Sequence, residues 1–153
     1  MQFDSKRFVG LVDAMPLVSI DLLLHDPEGR VLLGRRLNRP AAGFWFVPGG
    51  RVLKGERLAD ALARIVRREL GPAVPLQGWT PAGAYEHFYD DNFAGVADVS
   101  THYVVLPHVL HLEWGTPEIV PDDQHDDMMW LSVPELLARD DVHAYSKAYF
   151  LGR

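Results

Sequence analysis

The chain has 153 residues, 48% of them hydrophobic and 24% charged, which suits one globular domain with a substantial core. Its net charge of -6 argues against general nucleic-acid binding, and the lack of cysteine excludes disulfides and thiolate metal sites. No stretch has the length of a membrane span or the pattern of a signal peptide. We therefore expect one cytoplasmic domain over residues 1–153, with no nucleic-acid or membrane partner.

The first elements read as a helix followed by a β-hairpin. Residues 3–15 have the apolar spacing of a helix and end before Pro16. Two apolar strands, LVSIDLLL at 17–24 and VLLGRR at 31–36, flank a DPEG turn. After the NRPAAG loop, FWFVPGG at 44–50 predicts a short strand that ends in glycines.

Later elements alternate between helices and strands. The pattern predicts helices at 56–70, 133–139 and 143–151, long strands at 74–91 and 101–114, and a short strand at 126–132. Antiparallel strands interspersed with helices indicate an α/β (α+β) layered architecture.

Glu69 does not fit the pattern of its own helix. At about 100° per residue, Leu58, Ala61, Ile65 and the neighbouring apolar residues form one stripe, and Glu69 falls near its middle. A carboxylate on a core-facing stripe is unfavourable unless it is paired, hydrogen-bonded or bound to metal. Glu69 therefore either bends out to solvent at the last turn or lies beside a cleft.

Charge is unevenly distributed along the chain. PDDQHDD at 121–127 contains four aspartates, whereas the first half carries a cluster of basic residues. The basic residues are Arg35, Arg36, Arg39, Arg51, Lys54, Arg57, Arg64, Arg67 and Arg68. The two clusters are either separate solvated faces or a site where arginines and a metal ion hold a polyphosphate.

The segment that contains Glu69 resembles the Nudix box, a loop–helix–loop of hydrolases that act on nucleoside diphosphates linked to another group. The matching positions are Gly50, Glu56, Arg64, Glu69 and Gly71. The usual box has a glutamate directly after the arginine and then a pair of glutamates three residues later. This chain has Ile65 and the pair Arg68–Glu69 at those positions, so two customary metal-binding carboxylates are missing.

These departures resemble one branch of the Nudix superfamily, the GDP-mannose mannosyl hydrolases. The similarity extends from about Phe8 to Leu151 through PLVSIDLLL, LLGRRLNRPAAGFWFVPGGRV, HFYDDNFAG, THYVVL, DDQHDD and VHAYSKAYFL. The resemblance implies a Nudix α/β/α sandwich around a mixed sheet, and a homodimer. It also implies hydrolysis of a GDP-sugar by water attack at sugar carbon 1, with inversion and release of GDP.

The resemblance assigns a metal site and a catalytic pair. Glu69, the Gly49 carbonyl and Gln124 would bind one Mg²⁺ or Mn²⁺, both of which accept oxygen ligands. His125 would be the base that deprotonates water, because imidazole titrates near neutrality and four aspartates surround it in the sequence. Arg36 is the candidate for stabilising the leaving diphosphate, since a guanidinium can donate two hydrogen bonds to phosphate oxygens. Strand alternation puts Arg35 and Arg36 on opposite faces, so we expect only one of them to face the cleft.

Further residues are expected to contact the substrate. Arg51 is a second phosphate or sugar contact, and Arg64 is expected to orient the metal-binding glutamate or its loop. By resemblance, Asp21 and His87 contact the sugar hydroxyls and Tyr103 a diphosphate oxygen. Phe8 and Tyr89 are interpreted as guanine contacts; each of these aromatics is otherwise a core residue.

Three functions remain open from the sequence. One is the metal-dependent GDP-mannose glycosidase, acting on other GDP-hexoses as well. Another is a Nudix pyrophosphohydrolase that attacks phosphorus. The last is a non-catalytic nucleotide-sugar-binding protein.

Overall fold

The computed structural model describes residues 4–121 and 127–152. Within these ranges the chain forms four helices and nine strands. In chain order they are α1 Ser5–Ala14, β1 Leu17–His25, β2 Val31–Arg35, β3 Trp45–Phe46, β4 Gly49–Arg51, α2 Leu58–Leu70, β5 Thr80–Pro81, β6 Tyr85–Tyr89, β7 Thr101–Val105, β8 His108–His111, β9 Met128–Leu131, α3 Val133–Ala138 and α4 Ala144–Ala148.

Strand β1 organises the mixed sheet, because different partners pair with its two halves. Its first half pairs antiparallel with β4 and parallel with β7, and β6 extends this side beyond β7. Its second half pairs antiparallel with β2 and parallel with β8, while β3 and β9 pair with β2. The β1–β4 register places Asp21 opposite Gly49. The polar middle of β1 therefore lies next to the start of the box segment, which is the Nudix-box match at residues 50–71.

Helices cover both faces of this sheet. On one face Ile20, Leu22 and Leu24 of β1 pack with Ile65 and Leu70 of α2. On the other face the core contains Leu23, Val31, Leu33, Trp45, Val47, Leu131, Leu136 and Val142. Successive side chains of a strand point to opposite faces, so β1 supplies both cores. This arrangement confirms the expected α/β/α sandwich.

The second face of β1 is interrupted by polar residues. Leu17 packs in a small cluster with Val12 of α1, and Leu23 belongs to the larger core, but Ser19 and Asp21 lie between them on the same face. A polar gap between two apolar clusters leaves room for a cleft at the centre of the sheet.

Some predicted elements have different bounds in the structure. The long strands predicted at 74–91 and 101–114 are wrong in extent, because β5 and β6 are separate short strands and Pro107 separates β7 from β8. The glycines predicted to end a strand instead form β4. Leu58 of the predicted apolar stripe is exposed at the first position of α2.

Gly71, which ends α2, gives a stability prediction. Its φ of 90° and ψ of -175° belong to a region that is essentially restricted to glycine, and an added Cβ would lie 2.5 Å from the Val120 carbonyl oxygen. Gly55 also has a positive φ, of 81°, but nothing lies within 4 Å of its Cβ position. We expect Gly71→Ala to lower the free energy of unfolding by roughly 2–4 kcal/mol and Gly55→Ala by about 1 kcal/mol, measured by urea denaturation. Equal losses in the two variants would contradict the close approach at Val120.

Across the described ranges, no helix is long and apolar enough to cross a membrane.

Candidate functional site

Three adjoining cavities lie around β4. The loop cavity, of about 450 Å³, is lined by residues 34–40, at the end of β2 and in the loop that follows, together with Gly49, Glu69 and Tyr103. The inner cavity, of about 160 Å³, includes Asp21 and His87. The helix cavity, of about 590 Å³, lies along α2. Gly49 lines both the loop and inner cavities, Arg51 both the inner and helix cavities, and Glu69 both the loop and helix cavities, so the three cavities adjoin one another.

Arg36 is held between the loop and inner cavities. Its guanidinium lies over the Phe46 ring, 3.8 Å from the centroid, and donates a hydrogen bond of 2.8 Å to the Pro40 carbonyl oxygen. His143 stacks on Phe46 at a centroid distance of 4.6 Å. Cation–π contact and hydrogen bonding therefore fix this positive charge inside the site before a ligand arrives. Arg35 is positioned differently, with its guanidinium 3.9 Å from the Asp127 carboxylate.

Asp21 and His87 lie together in the inner cavity. Burial raises the pKa of Asp21 to about 6, although the hydrogen bond from Tyr149 and the charge of Arg36 act in the opposite direction. Burial, followed by the positive charges of Arg36 and His143, lowers the pKa of His87 to about 4. His87 is therefore neutral near pH 7, and the pair offers hydrogen-bonding groups rather than an ion pair.

The C-terminal helix α4 and its two capping residues contribute three aromatic side chains that the sequence reasoning did not assign. The Tyr149 hydroxyl donates a 2.6 Å hydrogen bond to Asp21 Oδ2, and Tyr145 stacks on His87 at 4.2 Å. His143 Nδ1 accepts from the Tyr145 N–H and so begins α4. The motif VHAYSKAYFL carried the family resemblance, but no periodicity indicated that its rings reach β1 and β6.

Tyr89 and Tyr103 line the inner cavity with Arg36. Burial raises the pKa of Tyr89 to about 12 and also raises the pKa of Tyr103, so both are hydrogen-bonding phenols at neutral pH. The structure thus places Tyr89 beside Asp21 and His87, whereas Phe8, its predicted companion at the guanine, lines the helix cavity.

The helix cavity combines aromatic and basic side chains. Phe8 and Phe93 approach with ring centroids 5.1 Å apart, and the Arg51 guanidinium lies 4.7 Å from the Phe8 centroid. Arg64 and Arg68 of α2 also line this cavity. An aromatic surface beside positive charge is suited to a nucleobase joined to phosphates.

Arg64 and Glu56 of the box segment form hydrogen bonds that hold the loop between β4 and α2. Arg64 Nε donates to Glu56 Oε2 at 2.8 Å, and Arg64 also donates to the Arg51 carbonyl oxygen at 2.8 Å. Glu56 Oε1 accepts from the Leu53 N–H at 3.0 Å. The hydrogen bond from Arg64 is the main cause that lowers the pKa of Glu56 to about 2. Arg64 thereby fixes the loop between β4 and α2.

The Arg64–Glu56 ion pair gives a prediction for the stability of the protein at acid pH. The pKa of Glu56 is about 4.5 when unfolded and about 2 when folded, so its stabilising effect is full above about pH 4.5 and is lost as pH falls towards 2. We expect Glu56→Gln to lower the free energy of unfolding at pH 7 by roughly 2 kcal/mol, after allowance for solvent screening. In urea denaturation the difference from wild type should shrink between pH 4.5 and 2.5. A difference that stays constant over this range would contradict the assignment.

Glu69 is half-buried and faces the site instead of the apolar core. Ile65, at the position of a customary box glutamate, is 1% exposed and packs in the α2 core, while Arg68 is exposed. Of the three carboxylate positions, only the last therefore has a carboxylate at the cavity. The described parts of the chain contain no group of three or more acidic or histidine side chains suited to a metal ion.

Gly49 is adapted to a close approach between β4 and β1. A Cβ at this position would overlap Asp21 Oδ1 and would lie 2.6 Å from the Ile20 carbonyl oxygen. Its backbone lines the loop cavity together with Glu69. A carbonyl and a carboxylate are oxygen donors that fit a hard divalent cation, with water and substrate completing its coordination.

Two predicted residues, Gln124 and His125, lie outside the described residues. The residues that flank them are placed beside the site. The Val120 N–H donates to the Leu70 carbonyl oxygen at 3.0 Å, next to Glu69, and the Arg35 N–H donates to the Asp127 carbonyl oxygen at 3.1 Å, next to Arg36.

Comparison with known proteins identifies the family. A family model of the NUDIX domain matches residues 15–151, and the chain belongs to this family. It is a Nudix hydrolase, a class of enzymes that act on small nucleotide derivatives and generally use divalent metal ions.

Similar proteins include curated relatives and a solved structure. The chain is 40% identical over 139 residues to the low-salt glycan biosynthesis protein Agl8 of Haloferax volcanii, across 91% of this chain and 83% of that protein. It is 29% identical over 105 residues to the nucleoside triphosphatase NudI of Escherichia fergusonii, across 69% and 72% respectively. The MutT NUDIX hydrolase from Burkholderia pseudomallei shares the fold, with a TM-score of 0.66 and 24% identity over 88% of this chain and 95% of that one.

Proposed function

We propose that this chain, acting as one domain over residues 1–153, is a metal-dependent hydrolase of GDP-mannose and related GDP-hexoses that releases GDP and free sugar. One observation carries the proposal: the box segment presents a single carboxylate, Glu69, to the cavity, because Ile65 is buried in the core and Arg68 is exposed. A site with one carboxylate suits one metal ion and places little negative charge beside a diphosphate. The proposal includes a cytoplasmic homodimer, by family resemblance.

The arrangement of the cavities supports a nucleotide sugar as substrate. The helix cavity offers Phe8, Phe93 and Arg51 to a guanine nucleotide. The loop cavity offers Arg36 to the diphosphate. The inner cavity offers Asp21 and His87 to sugar hydroxyls, which need both donors and acceptors. The relative named for glycan biosynthesis agrees with a substrate that carries a sugar.

In the proposed reaction, a water oxygen forms a bond to carbon 1 of the sugar while the bond from that carbon to the diphosphate oxygen breaks. The water proton passes to His125, and the electron pair of the broken bond stays on GDP. Attack from the face opposite the leaving group inverts the anomeric centre. Arg36 donates hydrogen bonds to the diphosphate and balances its growing negative charge.

Glu69 and the Gly49 carbonyl would hold one Mg²⁺ or Mn²⁺, with Gln124 as a further ligand. When bound, this ion would add positive charge at the diphosphate. The anchoring of Val120 beside α2 and of Asp127 beside Arg35 supports the assignment of Gln124 and His125, because these two hydrogen bonds are made one residue away from Glu69 and Arg36.

Attack at phosphorus is the second candidate, favoured by the relative named as a nucleoside triphosphatase. Chromatography of the products formed from GDP-mannose with Mg²⁺ distinguishes attack at carbon from attack at phosphorus. GDP and mannose are expected, whereas GMP and mannose 1-phosphate would establish the second candidate. GDP-glucose and ADP-ribose, tested in parallel, would define the range of sugar and base.

A further inference from the structure

Tyr149 connects the two polar residues of the inner cavity. It follows α4, yet its hydroxyl donates to Asp21 Oδ2 at 2.6 Å, across 128 positions of the sequence. The same hydroxyl oxygen lies 3.4 Å from His87 Nε2. One phenol therefore contacts both groups that the proposed function assigns to the sugar.

The direction of these hydrogen bonds follows from the charges. Burial, followed by the charge of the neighbouring Asp21, raises the pKa of Tyr149 far above its usual value, so the phenol keeps its proton. That proton points to Asp21, which leaves the hydroxyl oxygen to accept from the Nε2–H of a neutral His87. The chain Asp21–Tyr149–His87 thus selects one tautomer of His87.

Packing also restrains each member of this chain. Asp21 Oδ1 lies against Gly49, where a Cβ would overlap it, so both carboxylate oxygens are restrained. Tyr145 stacks on His87 with an interplanar angle of 6°, and Tyr85 packs edge-on against Tyr149 at 4.7 Å. These contacts leave the hydroxyl little freedom to turn to a different partner.

We propose that Tyr149 is a positioning residue that determines sugar selectivity, by fixing the orientation of Asp21 and the tautomer of His87. This inference rests on the proposed function. A site whose donors and acceptors are fixed rejects a hexose that presents a hydroxyl in the wrong configuration, because a buried polar group would lose its partner.

The test compares the binding of GDP-mannose and GDP to wild type and to Tyr149→Phe by calorimetry, with EDTA present to prevent turnover. Loss of a hydrogen bond to a charged group predicts GDP-mannose binding weakened about ten- to a hundred-fold, while GDP binding changes less than about threefold. The ratio of kcat/KM for GDP-mannose over GDP-glucose should fall about tenfold or more with Mg²⁺. Tyr145→Phe is the matched control, because it removes the hydroxyl of a nearby tyrosine that bonds the Phe88 backbone instead of Asp21.

The outcomes separate the inference from the function on which it rests. If wild type prefers GDP-mannose to GDP but Tyr149→Phe keeps that preference, the inference alone is overturned. If Tyr149→Phe weakens GDP and GDP-mannose binding equally, the role of Tyr149 is structural and the inference is overturned too. If wild type binds GDP-mannose no more tightly than GDP, both the inference and the proposed function are overturned. In Asp21→Ala combined with Tyr149→Phe, the second change should add less than about threefold, since both remove the same hydrogen bond.

Discussion

Replacing Arg36 with alanine is expected to reduce kcat for GDP-mannose by about 10²–10³-fold, with a smaller change in KM. The guanidinium is already held over Phe46 and by the Pro40 carbonyl oxygen, so its charge needs little reorganisation when the diphosphate leaves. The stabilisation that Arg36 provides should therefore grow as negative charge develops on the leaving diphosphate. Steady-state kinetics with saturating Mg²⁺ provides the measurement.

Two further variants test whether the geometry of Arg36 matters as well as its charge. Arg36→Lys should recover at most about tenfold of the lost rate, because an ammonium group has neither the planar stacking surface nor the paired donors of a guanidinium. Arg139→Ala is the control, since this arginine forms an exposed ion pair with Asp141 and should leave kcat within about twofold. Full recovery with lysine, or a normal rate for Arg36→Ala, would contradict the assigned role.

Replacing Glu69 with glutamine is expected to lower kcat/KM by at least about 100-fold and to raise the Mg²⁺ concentration needed for half-maximal rate. The change preserves the size of the side chain but removes its charge at the one box position that has a carboxylate at the cavity. Activity as a function of Mg²⁺ concentration gives the measurement.

A readout independent of turnover distinguishes a metal ligand from a residue that supports the fold. Mg²⁺ should raise the melting temperature of wild type, because a ligand bound only by the folded state stabilises it. The increase should be lost in Glu69→Gln and kept in Glu113→Gln, a change at an exposed residue. Retention of the full increase in Glu69→Gln would exclude the carboxylate as a ligand.

The position of Glu69 at a cleft was predictable from the sequence. The helical period places its side chain on the core-facing stripe, whereas a carboxylate is unfavourable in an apolar core. Its place on the stripe with Ile65 and Val66 already indicated a cleft or a frayed end, and the structure places it at a cleft. Alternation along residues 31–36 indicated opposite faces for Arg35 and Arg36 but did not show which one enters the cleft. Both line the loop cavity, and of the two Arg36 alone lines the inner cavity. The layered fold followed from the alternation of helices and strands, and it is confirmed.

The contacts made by α4 were beyond sequence reasoning. Tyr149 reaches Asp21 across 128 positions, and neither residue carries a local signal of the other. Tyr145 of α4 and its N-cap residue His143 pack through ring stacking instead of an apolar stripe. The strand predicted at 101–114 was wrong in extent because apolar content alone did not weigh Pro107, which lies between β7 and β8.

Hydrolysis of GDP-mannose in ¹⁸O-labelled water, with Mg²⁺ present, tests most directly whether water attacks carbon. Mass spectrometry of the products should find the label in mannose and none in GDP. Label in a phosphate group would show attack at phosphorus and would contradict the roles given to Arg36 and the inner cavity.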